Sequence, residues 1–304
     1  MIKAHIVTLL VSSVLCLVGG MLSPAEASTA TKAQTAITNK VVVSADQIIP
    51  EEKSVLEFSG GLSVSRSTLL IDFGDGSRKD SMYYLFAPAL KTKYGSFSSR
   101  LAFLQDLRDQ SPEKSDFFDV PVSFAFNSTQ WAWSYPYILT FTPTLSSVIP
   151  ISQTSIKKDQ LQTAFVGGIS FAIIPDGVAP KKDGAWNLAM GITAGRIIHA
   201  YEQDINGAVL NKYLSNQTLN LGYTYKDFSI SNQYIHMSRF TYQGSTKDSF
   251  YLSQDIGYSI NDNFSLGIGH SNSGNTLKVN GTESNISLIN ENDSTVYGEI
   301  AVSF

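Results

Sequence analysis

From Leu56 onward the chain alternates apolar and polar residues with a period of two, the pattern of strands that present one face to an apolar medium. Leu56, Phe58, Leu62 and Val64 alternate with Glu57, Ser59, Gly61, Ser63 and Ser65. The same contrast returns in Phe118–Phe126, Trp186–Ile192, Phe250–Ile260 and Val296–Phe304. Twelve segments of this kind are predicted, at 55–69, 81–91, 94–105, 117–127, 134–146, 161–174, 185–199, 217–226, 228–241, 249–260, 263–273 and 295–304. The fifth and sixth are interrupted by Pro136, Pro143 and the Gly167-Gly168 pair, so ten or fourteen are the neighbouring counts. The connections alternate in length: long at 70–80, 106–116, 147–160, 200–216, 242–248 and 274–294, short at Lys91–Tyr94, Lys226-Asp227 and Ile260–Asn263. Loops long at one end and short at the other belong to a transmembrane barrel. No fixed internal period points to a propeller.

The first 27 residues differ in kind. Lys3 and His5 precede an uncharged apolar run from Ile6 to Met21, and Ala25-Glu26-Ala27 supplies small residues for a signal peptidase. Residues 1–27 are therefore expected to be a cleaved signal peptide, 28–54 a flexible N-terminal arm or plug, and 55–304 the barrel. Cys16, the single cysteine, lies in the leader, which excludes a disulfide-stapled domain and a cysteine-ligated metal site. Only 16 % of residues are charged and the net charge is −4, so there is no basic footprint for nucleic acid. No later stretch is long and apolar enough for a spanning helix.

In lipid every backbone amide must be paired, so strands cross a bilayer only as a closed barrel. Segments of about ten residues, rising ~3.3 Å each and tilted by ~40°, cover the ~25 Å apolar band. Aromatics gather at segment ends, as at Tyr83-Tyr84, Trp131, Trp133, Trp186 and Tyr223, where girdles are expected. The last segment, Val296, Gly298, Ile300, Val302 and the terminal Phe304, resembles the C-terminal strand signal of bacterial outer-membrane β-barrel proteins. That resemblance implies recognition by the barrel-insertion machinery, an outer-membrane location among lipids and lipopolysaccharide, and both termini in the periplasm. The expected fold is all-β, an antiparallel transmembrane β-barrel of about twelve strands.

The face opposite the lipid is read as the lumen. It holds small groups: Ser59, Gly61, Ser63, Ser96, Ser98, Ala125, Thr140, Thr142, Gly168, Ser170, Gly191, Gly195, Gly222, Ser229, Ser231, Gly267, Gly269 and Ala301. Small side chains leave room for water or a plug. Arg100, Asp119, Arg239, Asp255 and Glu299 punctuate this face and are candidates for an eyelet that screens solutes by charge. The leading expectation is a channel for passive passage of small hydrophilic solutes, without cofactor or metal.

A second class of function comes from polar residues on the lipid face. His236 and Ser238 share that face, and Gln254 is expected opposite His236 across a hairpin. A His, a Ser two residues on and an amide across the strand resembles the outer-membrane phospholipase A family. That resemblance implies His236 as base, Ser238 as nucleophile and Gln254 as the orienting amide. Arg239 after Ser238 departs from the family's Asn-Gly. The run His270-Ser271-Asn272 is similar to the His-x-Ser-Asn of lipid A deacylases, but its serine directly follows the histidine and points to the other face. A closed structural or adhesion barrel, with the Asn-rich stretch 274–294 as its surface, is the third reading.

Overall fold

The computed structural model describes residues 56–70, 80–107, 115–134, 137–175, 184–278, 280–290 and 293–304. The expected leader and arm at 1–54 lie outside them. Fifteen strands form one antiparallel sheet that closes on itself. They are β1 (Glu57–Leu69), β2 (Asp80–Thr92), β3 (Gly95–Ser99), β4 (Leu101–Asp106), β5 (Asp116–Phe117), β6 (Val120–Phe126), β7 (Thr129–Ser134) and β8 (Tyr137–Ile149). The sheet continues with β9 (Leu161–Pro175), β10 (Ala185–His199), β11 (Asn211–Tyr225), β12 (Phe228–Thr241), β13 (Thr246–Ser259), β14 (Phe264–Asn275) and β15 (Thr295–Ser303).

Several of these are pieces of one barrel stave. β3 and β4 keep a single register against β2, from Ala89↔Ser98 to Leu85↔Ala102, with only Arg100 between them. Phe103 pairs with Phe117 but Ser99 with Val122, so one extra residue bulges at Phe118-Asp119 between β5 and β6. A second extra residue lies between Ala125↔Thr144 and Thr129↔Phe141, which makes β7 the continuation of β6. Twelve staves result, as the alternation predicts.

The barrel closes where β1 pairs with β15, Leu62 opposite Val302 and Val64 opposite Ile300. Beside that seam the Gly60 N–H donates to the Phe304 carbonyl at 2.8 Å and the Phe304 N–H returns to Gly60 at 3.0 Å. The C-terminal aromatic thus sits on the closing seam, its ring 6.3 Å from Phe58. Pairing satisfies the backbone groups that an open edge would leave facing lipid.

Parity assigns the two faces. On β13, Ile256 is 53 % exposed while Ser253 is 1 % exposed, the first facing outward and the second inward. Lateral rows of the outward face run Phe58–Leu90–Phe97–Phe124, Phe171–Met190–Leu219 and Ile256–Ile268–Gly298. Both described ends of the chain lie at one end of the barrel. That end carries the short turns at 93–94, 226–227 and 260–263. The other end carries the long connections, with two exceptions: the nine residues 176–184 join β9 to β10 at the short-turn end, and one connection at the far end is short. β12 and β13 are joined by only 242–245, where the expectation was 242–248. The polar residues Lys247, Asp248 and Ser249 belong to β13 and not to a loop.

Two long connections brace each other. The β8–β9 connection holds a short π-helical turn at Thr154–Lys158. The Ile205 N–H donates to the Lys158 carbonyl at 3.2 Å, and Lys158 Nζ lies 3.7 Å from Asp204 Oδ2. Asp204 Oδ1 accepts from the backbone N–H groups of Ala208 and Asn206 at 2.8 and 2.9 Å. Those amides, with Lys158 nearby, hold the carboxyl below the usual carboxylate range.

Candidate functional site

All the small residues expected on the lumen face lie at inward register positions: Gly61 pairs with Ala87, Ser98 with Ser123, Thr142 with Ser170, Gly191 with Ser170, and Ser231 with Asp255. Hydroxyls bond across this face, Ser123 to Ser146 at 2.8 Å and Ser271 to Thr295 at 2.7 Å. Gln233 donates to Asn220 at 2.7 Å.

One sector of the wall differs from the expectation. Tyr83, Leu85 and Ala102 face inward and form an apolar cluster with Ala87, Leu104 and Phe118. The Tyr83 and Phe118 rings meet edge-on at 5.7 Å. The sequence signal fails here because β2 is apolar on both faces: Tyr84, Phe86 and Leu90 outward, Tyr83, Leu85 and Ala87 inward. The lumen wall is therefore half apolar across β2–β5 and hydroxyl- and amide-rich across β11–β15.

The five predicted lumen charges separate into three settings. Glu299 and Asp255 are neighbours, and Arg100 reaches the same Tyr83 as Glu299. Tyr83, Ser65, Glu299 and Gly267 form one inward row, and Tyr297, Gly269 and Asp255 form the next. Arg100 and Glu299 both lie within electrostatic reach of the Tyr83 hydroxyl, and Asp255 within reach of Glu299. The Tyr297 hydroxyl donates to Asp255 Oδ1, while Ser253 and Ser231 donate to Oδ2 at 3.3 and 3.4 Å. Gly269 stands between Tyr297 and Asp255, and a Cβ there would overlap both side chains. Asp255 is thus neutralised in part by hydroxyls, whereas Glu299 has no ion pair among the described residues.

Arg239 faces inward nearer the long-loop end. Its Nη1 donates to Asn216 Oδ1 at 2.7 Å and to the carbonyls of Ser238 and Ser215 at 3.2 and 3.5 Å. Asp119 departs from the expectation. It sits in the bulge between β5 and β6, and its Oδ1 accepts the N–H groups of Ile151 and Ser152 at 3.0 Å each. Oδ2 accepts from Ser155 Oγ. Its charge is spent on anchoring the β8–β9 connection, so it is a positioning residue for that loop and not a free eyelet charge.

The lipid-face constellation is rearranged by the register. Phe250, not Gln254, lies opposite His236, and Gln254 lies opposite Asn232. The expected offset fails because the hairpin turn is four residues, shorter than the polar residues after Thr241 suggest. Asp248, expected in the 242–248 connection, stands opposite Ser238 instead. Ser238 Oγ donates to Asp248 Oδ1 at 2.6 Å, and His236 Nε2 lies 3.8 Å from the same oxygen. A nucleophilic serine needs its hydroxyl directed at the base. Here the proton is directed at the carboxylate, and among the described residues no amide bonds the imidazole. No group of three or more metal-ligating side chains occurs among the described residues.

No family model matches the sequence, and no characterised protein matches it in sequence. Solved structures do match in shape. An outer-membrane channel from Pseudomonas putida F1 superposes with a TM-score of 0.51 at 11 % identity, covering 85 % of this chain and 100 % of that one. The NanC porin gives 0.42 at 14 % identity over 82 % and 99 % of the two chains. The KdgM porin in complex with oligogalacturonate gives 0.38 at 10 % identity over 81 % and 98 %. The likeness to the first of these is a likeness of fold. Together with the closed twelve-stave sheet it establishes that this chain has the β-barrel fold of bacterial outer-membrane proteins.

Proposed function

We propose that the barrel lies in a bacterial outer membrane, exported through a cleaved signal peptide and inserted with both termini on the periplasmic side. There it provides a passive path for small hydrophilic solutes. The observation that carries this reading is the inward face of β8–β15 and β1, where Gly, Ala, Ser and Thr are the commonest residues and form continuous rows such as Thr142–Ser170–Gly191. Side chains of that size do not fill a twelve-stave interior. Arg100 and Glu299, which both reach Tyr83, and Asp255 in the next row would screen what passes by placing charges of both signs on the lumen wall. The outward surface would contact lipids and lipopolysaccharide.

Swelling of proteoliposomes tests the reading. Vesicles carrying the full chain are expected to swell in iso-osmotic monosaccharide and to swell more slowly as the solute is lengthened. Vesicles that do not swell in any small solute would remove the open-path reading and leave a closed barrel.

A further inference from the structure

The outward face is not uniformly apolar. On β12–β14 the row below Tyr234 and Leu252 reads Asn232, Gln254 and His270, directly paired across the three strands. The row beneath is Ile230, Ile256 and Ile268, 51, 53 and 58 % exposed, so the polar row faces the same medium. Asn232 lies four residues above Phe228, and Gln254 four above Tyr258, whose ring is 4.9 Å from Phe228. At ~3.3 Å per residue and ~40° tilt that is about 10 Å above the girdle, near the middle of a ~25 Å apolar band.

This depth matters. Polar side chains at headgroup level are tolerated, but at mid-depth lipid tails offer no hydrogen-bond partner. Neither amide has a partner among the described residues, and the buried His270 Nε2 has none either. The polarity continues upward in Gln217, His236, Ser215, Ser238 and the Asp248 carboxylate that Ser238 bonds. At comparable rows β1, β15, β9 and β10 present Val64, Ile300, Ile169 and Ile192.

We propose that the outward face of β11–β14 is a contact surface for a second copy of this chain, related by a two-fold axis through the Asn232–Gln254–His270 row. Amide, imidazole and hydroxyl groups each donate and accept, so the patch is complementary to itself in an isologous contact. Its outward positions contain no Lys or Arg, so it offers nothing to a lipid phosphate. Four strands ~4.8 Å apart and ~25 Å tall present a projected face of about 500 Å². The upper part of β13 and β14 is covered by the chain itself, so the contact is a small one, centred on the open row. The patch also has a built upper margin. The segment 280–290 folds over the outward face, where Asn272 Nδ2 donates to the Ser287 carbonyl at 2.8 Å. Phe250 and Asn272 are each 1 % exposed, while the row below stays open.

Site-directed cross-linking of the full chain in intact outer membranes tests this, in a Cys16→Ser background. Asn232→Cys, Gln254→Cys and His270→Cys are expected to give, for at least one of the three, an oxidised product of twice the chain mass. Ile169→Cys, on the far side of the barrel, is expected to give none. The double variant Asn232→Leu/Gln254→Leu should lower the dimer fraction of detergent-extracted protein at least about tenfold. Three things would each overturn the proposal: no product from any of the three thiols in barrels that run as folded on unheated gels, a product of another mass, or equal product from Ile169→Cys. The cross-linking arms stand even if the double variant does not fold.

Discussion

Replacing Glu299 by glutamine shifts the reversal potential of the open barrel toward anions in a salt gradient, while Asp119→Ala leaves it where it was. Both residues are acidic and both were expected on the lumen face. Their surroundings decide the difference. Glu299 stands in the inward row with Tyr83 and Ser65, across from small residues, and shares Tyr83 with Arg100. Its carboxylate faces the path. Asp119 has both oxygens occupied by Ile151, Ser152 and Ser155. For an ion about 8 Å away, one unit charge is worth between about 0.5 and 2 kcal/mol as the effective dielectric falls from water-like to protein-like. That is roughly a two- to thirty-fold change in the cation-to-anion permeability ratio. The measurement belongs at low salt, where screening is weak. An unchanged reversal potential in Glu299→Gln, or a shift in Asp119→Ala, would remove the electrostatic account of the path.

Gly95→Ala is expected to cost the barrel more stability than any other single methyl added at a glycine on its short-turn end. Gly95 opens β3 with φ +154, and a Cβ there would overlap the Ala125 carbonyl oxygen, which is backbone and cannot move aside. The turn before it is tied on both sides. Thr92 Oγ1 donates to the Gly95 carbonyl at 2.9 Å, and Asn127 Nδ2 to the Lys93 carbonyl at 2.7 Å. Relieving the overlap means parting β3 from β6 at Gly95↔Phe126. A loss of more than about 2 kcal/mol is expected in urea titrations of the lipid-inserted barrel followed by tryptophan fluorescence. Gly61→Ala is the control, since its Cβ would rest at an ordinary 3.6 Å from the Val302 carbonyl. Equal midpoints for the two variants would show that the β3 start is not held as described.

The strand plan was legible because lipid imposes a stricter alternation than water does. A strand facing solvent can mix residue types, whereas the outward positions of β1, β9, β10 and β15 had almost no choice. Legibility fell where that constraint relaxes. β11 begins at Asn211, six residues before the expected 217, because Ser215, Asn216 and Gln217 are polar on both faces. The fourth stave runs on through β7, which the bulge at 127–128 hides by switching the parity. The apolar lumen sector was invisible because β2 shows no contrast at all.

The site was legible to the same degree. Parity placed Arg100, Arg239, Asp255 and Glu299 inward, because a period of two fixes the face without fixing the neighbour. It did not show that Asp119 turns away at a bulge, since one inserted residue is not a pattern. The lipid-face set failed on register. A pairing offset depends on the length of a turn, and 242–245 is followed by polar residues that look like loop. Asp248 was missed for that reason, and Gln254 was placed opposite the wrong residue.

Single-channel recording of the full chain in a planar bilayer tests the central claim most directly. A hydrated path whose wall is rich in small and hydroxyl side chains predicts discrete conductance steps that scale with salt concentration. A folded, inserted barrel that passes no current at any applied voltage would contradict it.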